Sequence, residues 1–374
     1  MYKFIYHFSR IVIAATFIFS GFVKGQDPLG FTFKLEDYFI AYGWDWAMPF
    51  ALYLSIALCA YEFVLGVGLL LNLQIRLVSW LTLLTMIFFT GLTFYDALYN
   101  PVPDCGCFGD AIILTNWQTF YKNVVLMGFL VLLFRFRSKA SAKPNAMKGQ
   151  FLALVVMASF FALFSYWSYT NLPVFDFLPW KEGNRLYAEQ EQPVQYFVTY
   201  RNNQTGETRE YPANDYPYQD ETWLSQWSFV SSRVYDPNVT IKHELVIVDS
   251  SGSDLTSHYL KNPDYQFIIT VYDPKHAPVK AMEEISSLAR EIEASGHSVV
   301  LLTNALAEEI VFYSKKFNWV EDVHNADDIA LKMMVRANPG LVLIRNSVIL
   351  EKWNGRKLPG FEELKQKYFD TANP

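Results

Sequence analysis

The sequence predicts a membrane α-helical bundle of about five transmembrane helices followed by an extracytoplasmic α/β domain. Three observations carry this prediction. Apolar stretches close to the roughly 20 residues needed to cross a bilayer recur five times before residue 171. The loops joining them alternate between acid-rich and base-rich. Beyond residue 265, strand patterns alternate with amphipathic helix patterns, as in a parallel sheet pair with a right-handed crossover. Composition agrees: 52% of the chain is apolar and 18% charged, where soluble domains carry about 25% charged residues. A net charge of −6 with no long basic run gives no sign of nucleic acid as a partner.

The spans fall near 8–25, 47–71, 75–98, 117–136 and 150–170. The first, "FSRIVIAATFIFSGFVKG", lacks a small-x-small cleavage site and four spans follow it, so it reads as a retained helix. Lys and Arg in short loops mark the cytoplasmic side. Arg135, Arg137, Lys139, Lys143 and Lys148 lie between spans four and five, Arg76 between two and three, and Lys3 and Arg10 at the N-terminus. In contrast, 26–46 holds Asp27, Glu36, Asp37 and Asp45 against Lys34, and 99–116 holds Asp104 and Asp110 with no base. One assignment satisfies every loop: N-terminus inside, C-terminal domain outside. Cys105 and Cys107 then sit on the oxidising face, where disulfides form and persist.

Charges inside spans are costly and tend to face a bundle interior or a cavity. Cys59, Glu62 and Gly66 share one helix face by their spacing of three and seven. Glu62 is expected to pair in the interior or handle protons, Cys59 to pack, and Gly66 and Gly68 to allow close helix contact. Lys24 and Asp96 each have two readings: a group solvated at the membrane edge, or part of a pocket with Glu62 and Asp110.

In the second half, "VQYFVTY" and "TREYPA" flank a turn and form a hairpin within 194–213. "HELVIVDSSGSDLT" reads as a strand followed by a Gly-containing turn, and from 265 the order is strand, helix, strand, two helices, a hairpin turning at Asn346-Ser347, and a last helix. This order resembles the thioredoxin fold, and the resemblance implies that Pro339 is the fold's cis-proline. The C-x-x-C of that family is absent: the matching stretch is "VYDPKHAP", and no cysteine follows Cys107. The resemblance therefore implies a fold that binds a partner protein rather than thiol chemistry of its own. His243, His258, His276, His297 and His324 match no metal motif. The expected divisions are 1–140 for a four-helix membrane domain, 141–172 for a fifth transmembrane helix, 173–262 for a connecting region with the hairpin, and 263–374 for the thioredoxin-like domain.

"CGCFGD", residues 105–110, has three readings: a thiol pair, a metal clip, or a tight turn. A structural zinc needs four ligands, usually from two motifs, and one pair with no second motif makes no metal site. A disulfide across one residue closes too small a loop to stabilise the chain much, and strained, exposed disulfides tend to be the labile ones. A redox pair or a turn rich in small residues remain. "SGFVK" at 20–24, "YEFVLGVGLLL" at 61–71 and "CGCFGD" together resemble the DoxX/MauE group over about residues 1–140. Its most specific element is C-G-C-F-G: Cys105, Gly106, Cys107, Phe108 and Gly109. The similarity is closer to MauE-type proteins, linked to disulfide formation in a periplasmic enzyme, than to DoxD-type subunits of thiosulfate:quinone oxidoreductase. Fusion to a cysteine-free thioredoxin-like domain resembles an arrangement of Bacteroidetes-type bacteria.

The resemblance implies a bacterial inner-membrane thiol–disulfide protein with Cys105 and Cys107 as the reacting pair and a periplasmic protein as client. No cofactor is required by the residues. The bundle with its outward cysteine pair is similar to quinone-linked disulfide oxidases, which makes a quinone the cofactor to test, although those enzymes use two cysteine pairs and this chain has one. The alternative is a non-enzymatic assembly or accessory subunit, anchored in membrane lipid, whose thioredoxin-like domain binds a partner protein.

Overall fold

A computed structural model describes residues 2–136, 147–188, 192–239, 245–249 and 251–370. Arg137, Lys139, Lys143 and His243, and the expected boundary at 140/141, lie outside the described residues. The first half contains α1 (Tyr2–Gly25), α2 (Pro28–Tyr42), α3 (Ala51–Leu70), α4 (Ile75–Tyr99), α5 (Asn116–Phe136) and α6 (Met147–Thr170). Five spans, Lys3–Gly25, Asp45–Leu70, Ile75–Tyr99, Asn116–Arg135 and Lys148–Thr170, are long and apolar enough to cross a membrane. Only 22–39% of their most apolar windows is buried, so most of that apolar surface needs lipid against it. Ile87, Phe88, Phe160 and Leu163 are among the exposed side chains.

The segment 26–46, expected as an acidic loop, is instead mostly the helix α2. Asp27 caps it by accepting from the Gly30 amide, Pro28 follows at the first helical position, and Gly43 closes it at φ +67°, each in its preferred place.

Glycine decides how closely α1 and α3 approach. A Cβ on Gly21 would meet Phe63 N at 2.6 Å and Cys59 O at 2.9 Å, and one on Gly66 would meet Ile18 N at 2.6 Å. These neighbours are backbone and cannot swing aside. Gly66→Leu is therefore expected to destabilise the protein by about 3 kcal/mol, the upper end of overpacking costs, and to lower Tm in detergent. Gly91→Ala, at a position with no atom within 4 Å, is the control and should be neutral. Equal Tm values for the two variants would contradict the close crossing.

The second half contains β1 (Gln195–Asn202), β2 (Thr208–Pro212), α7 (Glu221–Gln226), β3 (Trp227–Tyr235), β4 (Ile247–Val248), α8 (Thr256–Leu260), β5 (Gln266–Val271), α9 (Val279–Ala294), β6 (Ser298–Thr303), α10 (Ala307–Phe317), β7 (Val323–Ala326), α11 (Asp328–Met334), β8 (Gly340–Arg345), β9 (Val348–Asn354) and α12 (Phe361–Leu364). The predicted hairpin β1–β2 gains a third strand in the order β2-β1-β3. The main sheet runs β4-β7-β6-β5-β8-β9, with β5, β6 and β7 parallel and β8, β9 and β4 antiparallel to their neighbours. This is the thioredoxin-like layout, with the short strand β7 added to the expected order and β4 lying in the strand expected in "HELVIVDSS".

Central strands covered on both faces read as unbroken apolar runs. Phe267, Ile269 and Val271 pack toward α9, and Ile268 toward Leu331 and Met334 of α11. The second layer also contains Trp180, Leu186, Leu245 and Ile247. Much of the region expected to be a connector therefore belongs to this core, and the domain begins well before 263. The Asn338–Pro339 bond is cis.

Candidate functional site

The cysteine loop leaves α4 and returns to α5, and every residue of "CGCFGD" has a positional reason. Gly106 has φ +62°, and a Cβ there would meet Lys34 Cγ at 2.9 Å. Its amide donates to Asp104 Oδ1 at 2.9 Å, and the Gly109 amide (φ +51°) donates to the Gly106 carbonyl at 3.0 Å. Phe108 packs edge-on to Phe19 at 5.4 Å, with Lys122 Nζ 4.4 Å from its ring centre. The turn brings Cys105 Sγ and Cys107 Sγ to 2.6 Å, with both residues partly exposed.

The sulfurs border a cavity of about 480 Å³ inside the bundle. Its walls are largely aromatic and aliphatic, among them Phe31, Leu35, Phe39, Leu58 and Phe89. Lys24, Glu62, Ser20, Tyr38 and Lys122 also line it. Lys24 Nζ lies 2.8 and 2.7 Å from the two Glu62 oxygens and 4.5 Å from the Phe31 ring centre. Ser20 Oγ lies 2.8 Å from both Glu62 Oε2 and the Cys107 carbonyl oxygen, so its one proton serves one acceptor at a time. Tyr38 donates to Asp96 Oδ2 at 2.7 Å, while Asp96 Oδ1 is buried without a hydrogen-bond partner.

The cysteine pair titrates as a unit. The hydrogen bond from Cys105 lowers Cys107 to about 6, burial opposes this, and the Lys122 and Lys24 cations add to the lowering. The same hydrogen bond, with burial, raises Cys105 well above an ordinary thiol. One proton leaves easily and the second is held. Burial, with the nearby sulfur of Cys105, also raises Tyr38, which stays a donor.

Of the predicted residues, Lys24, Glu62, Cys105 and Cys107 share the cavity. Asp96 meets it through Tyr38. Lys24 is buried and ion-paired rather than solvated at the headgroups, and Asp96 is fully buried. Asp110 points elsewhere: its Oδ2 takes Arg336 Nη2 at 2.6 Å. Pro339 lies in the α/β domain, where Asn338 Nδ2 donates to the Asp273 carbonyl at 2.7 Å and so ties its loop to the stretch at the C-x-x-C position. Sequence reasoning passed over Ser20, Lys34, Tyr38, Lys122 and Arg336. Lys34 and Tyr38 had a usable signal: on a helix their spacing of four puts both toward the cysteine loop.

Fold and site thus define a multi-pass membrane protein with a cysteine-lined helical domain and a thioredoxin-like domain. The family described as methylamine utilisation protein MauE matches residues 2–136, so the helical part of the chain is similar to that family. Protein TlpB of Flavobacterium psychrophilum is 29% identical over 157 residues, 41% of this chain and 43% of that protein. The chain thus spans less than half of that relative. Among solved structures, a thioredoxin-like chain from Neisseria meningitidis shares 22% identity, covering 34% of this chain and 87% of its own with a TM-score of 0.27. BsSco, a member of the Sco family of cytochrome c oxidase assembly proteins, shares 8% identity over 34% of this chain and 92% of its own, with a TM-score of 0.28.

Proposed function

We propose that this chain is an inner-membrane thiol–disulfide exchange protein acting on a periplasmic protein. The observation that carries this reading is the pair of sulfurs, 2.6 Å apart, bordering an apolar cavity that contains a buried lysine–glutamate pair. In one direction of exchange, Cys107 thiolate attacks a client disulfide, the client releases one thiolate, and Cys105 displaces the second. The Cys105–Cys107 disulfide forms as the client disulfide is reduced, and two electrons pass between them; the reverse exchange oxidises a client dithiol. The lack of Lys and Arg in the loop 99–116, against the base-rich stretch between the fourth and fifth spans, supports an outward-facing site.

The cavity also fits a quinone as electron carrier. Lys24 and Lys122 would hold its oxygens, Phe31, Phe39 and Phe89 its ring, and Asp96 Oδ1 has unmet hydrogen-bonding capacity nearby. When bound, a quinone supplies a two-electron, two-proton acceptor. Lys24 and Glu62 hold a proton at that end of the cavity, and the aromatic walls exclude water.

A second reading, an accessory subunit that binds a partner without redox chemistry, has one specific support. The loop at the C-x-x-C position packs Tyr272 edge-on against Phe33 of α2, at 5.8 Å, and contains no cysteine.

Trapping in native membranes separates the two. Cys105→Ser removes the thiol that donates to Cys107 but leaves that sulfur beside the Lys122 and Lys24 cations, and is expected to capture a mixed-disulfide partner on Cys107 more efficiently than Cys107→Ser does on Cys105. Failure of both variants to capture anything, with a pair that never changes thiol state under oxidant or reductant, would sink the exchange reading.

A further inference from the structure

The cysteine loop is pinned at both ends by ion pairs, and the two cations come from different halves of the chain. At its start, Asp104 accepts from Lys34 of α2 at 2.8 Å. At its end, Asp110 accepts from Arg336 of the α/β domain at 2.6 Å. Arg336 lies two residues beyond α11 and two before Asn338 of the cis bond. Its Nε reaches Asp27 Oδ2 at 2.9 Å and its Nη1 the Lys332 carbonyl at 2.8 Å. The guanidinium carbon lies 5.5 Å from the Phe33 ring centre.

Arg336 is only 7% exposed. Burial works against its charge, but Asp27 and Asp110 more than offset this, so its pKa is raised. One planar cation thus holds the N-cap of α2 and the end of the cysteine loop together, using donors on separate edges of the fork. Lysine, with a single compact ammonium, cannot reproduce that geometry.

We propose that Arg336 is a positioning residue through which the thioredoxin-like domain sets the conformation, and hence the reactivity, of the Cys105–Cys107 pair. The proposal rests on the exchange reading above for its purpose, but not for its test. The close approach of the sulfurs depends on a seven-residue turn, Asp104 to Asp110, held at its ends. Gly106 and Gly109 give the turn left-handed conformations that a free loop leaves readily. Releasing one end lets the sulfurs separate, and the hydrogen bond that favours thiolate on Cys107 is then lost. The cysteine-free domain would therefore act on thiol chemistry in the neighbouring half without contributing a thiol.

The test is the pH profile of alkylation of the reduced full-length protein in nanodiscs, together with its equilibrium thiol state across glutathione buffers. Arg336→Lys and Asp110→Asn should each move the alkylation midpoint upward by about one unit and slow the reaction at pH 5.5 about threefold, an about eightfold fall in thiolate being partly offset by the greater nucleophilicity of a more basic sulfur. Asp110→Asn is nearly isosteric and its side chain is only partly buried, so it guards against misfolding of the arginine variant. Lys352→Met is the control. It removes the ion pair of Lys352 with Asp176 and its hydrogen bond to the Met334 carbonyl, contacts that do not touch the cysteine loop.

An unchanged profile in Asp110→Asn would overturn the proposal. So would an equal shift in Lys352→Met, which would assign the effect to domain docking in general. Alkylation is read with no client present, so failure of partner trapping would count against the exchange reading and leave this result standing.

Discussion

Glu62→Gln is expected to leave Lys24 as an uncompensated cation inside the bundle and to destabilise the protein by about 3–5 kcal/mol, as when one partner of a buried pair is removed. Both residues are 3% exposed, and the ammonium is shared almost evenly between the two carboxylate oxygens. The substituted amide would offer one oxygen and an NH₂ group that faces the ammonium. The double variant Lys24→Met, Glu62→Met should recover most of that loss, because well-packed apolar replacements of buried ion pairs are often neutral or better. The two measurements are then Tm in detergent and the rate of thiol reoxidation in membranes. A pair kept for its chemistry gives a double variant that is stable but slow. A Glu62→Gln protein as stable as its parent would show that the cation is solvated after all.

Reduced protein should react with iodoacetamide at pH 5.5 about 20-fold faster than an unperturbed cysteine. With Cys107 lowered to about 6, roughly a quarter of it is thiolate at that pH, against about 0.1% for a thiol of pKa about 8.5. The lower basicity of the sulfur costs about tenfold in intrinsic nucleophilicity, and the population effect wins. At pH 7 the two factors nearly cancel, leaving only about a two- to threefold advantage, so neutral pH is the wrong place to look. Lys24, Lys122, Glu62 and Cys105 all act on this sulfur.

The same shift has a stability consequence. The folded pKa of Cys107 lies below its unfolded value, so its stabilisation is complete above the unfolded pKa and is lost as pH falls through about 6. Cys105 is raised, so its contribution fades instead as pH climbs above the ordinary thiol range. Tm of the reduced protein minus that of the Cys105→Ser, Cys107→Ser variant should therefore rise from pH 6 to about 8.5 and fall beyond. A flat difference would contradict the coupled pair.

The membrane spans were legible because hydropathy is a local sum, and each predicted span lies within a few residues of the observed helix. The strands β5, β6 and β8 were legible for the same reason, being apolar on both faces. The face holding Glu62 could be read from spacing along α3, but its partner could not, since the rotation of α1 against α3 is set by Gly21 and Gly66 touching backbone. Asp27-Pro28 and Gly43 bracket α2, but the acids between them suit a solvated loop equally well, so the sequence alone does not single out a helix there. Nothing local announces Arg336, which is 226 residues from Asp110 and 309 from Asp27. Short β7 is defined by its ladder partners rather than by its own few residues.

Helix α2 serves two neighbours at once. Leu35, Tyr38 and Phe39 face the sulfur-lined cavity, while Phe33 and Glu36 line a cleft of about 940 Å³ against the thioredoxin-like domain, with Tyr272 and Lys332 opposite. A party wall of fifteen residues has thus been dressed on both surfaces. The consequence is one of lineage: the two halves are not interchangeable parts. A bundle of this kind grafted beneath another domain would inherit a helix cut to a missing neighbour, so substitutions on either side must be answered through the same short stretch of chain.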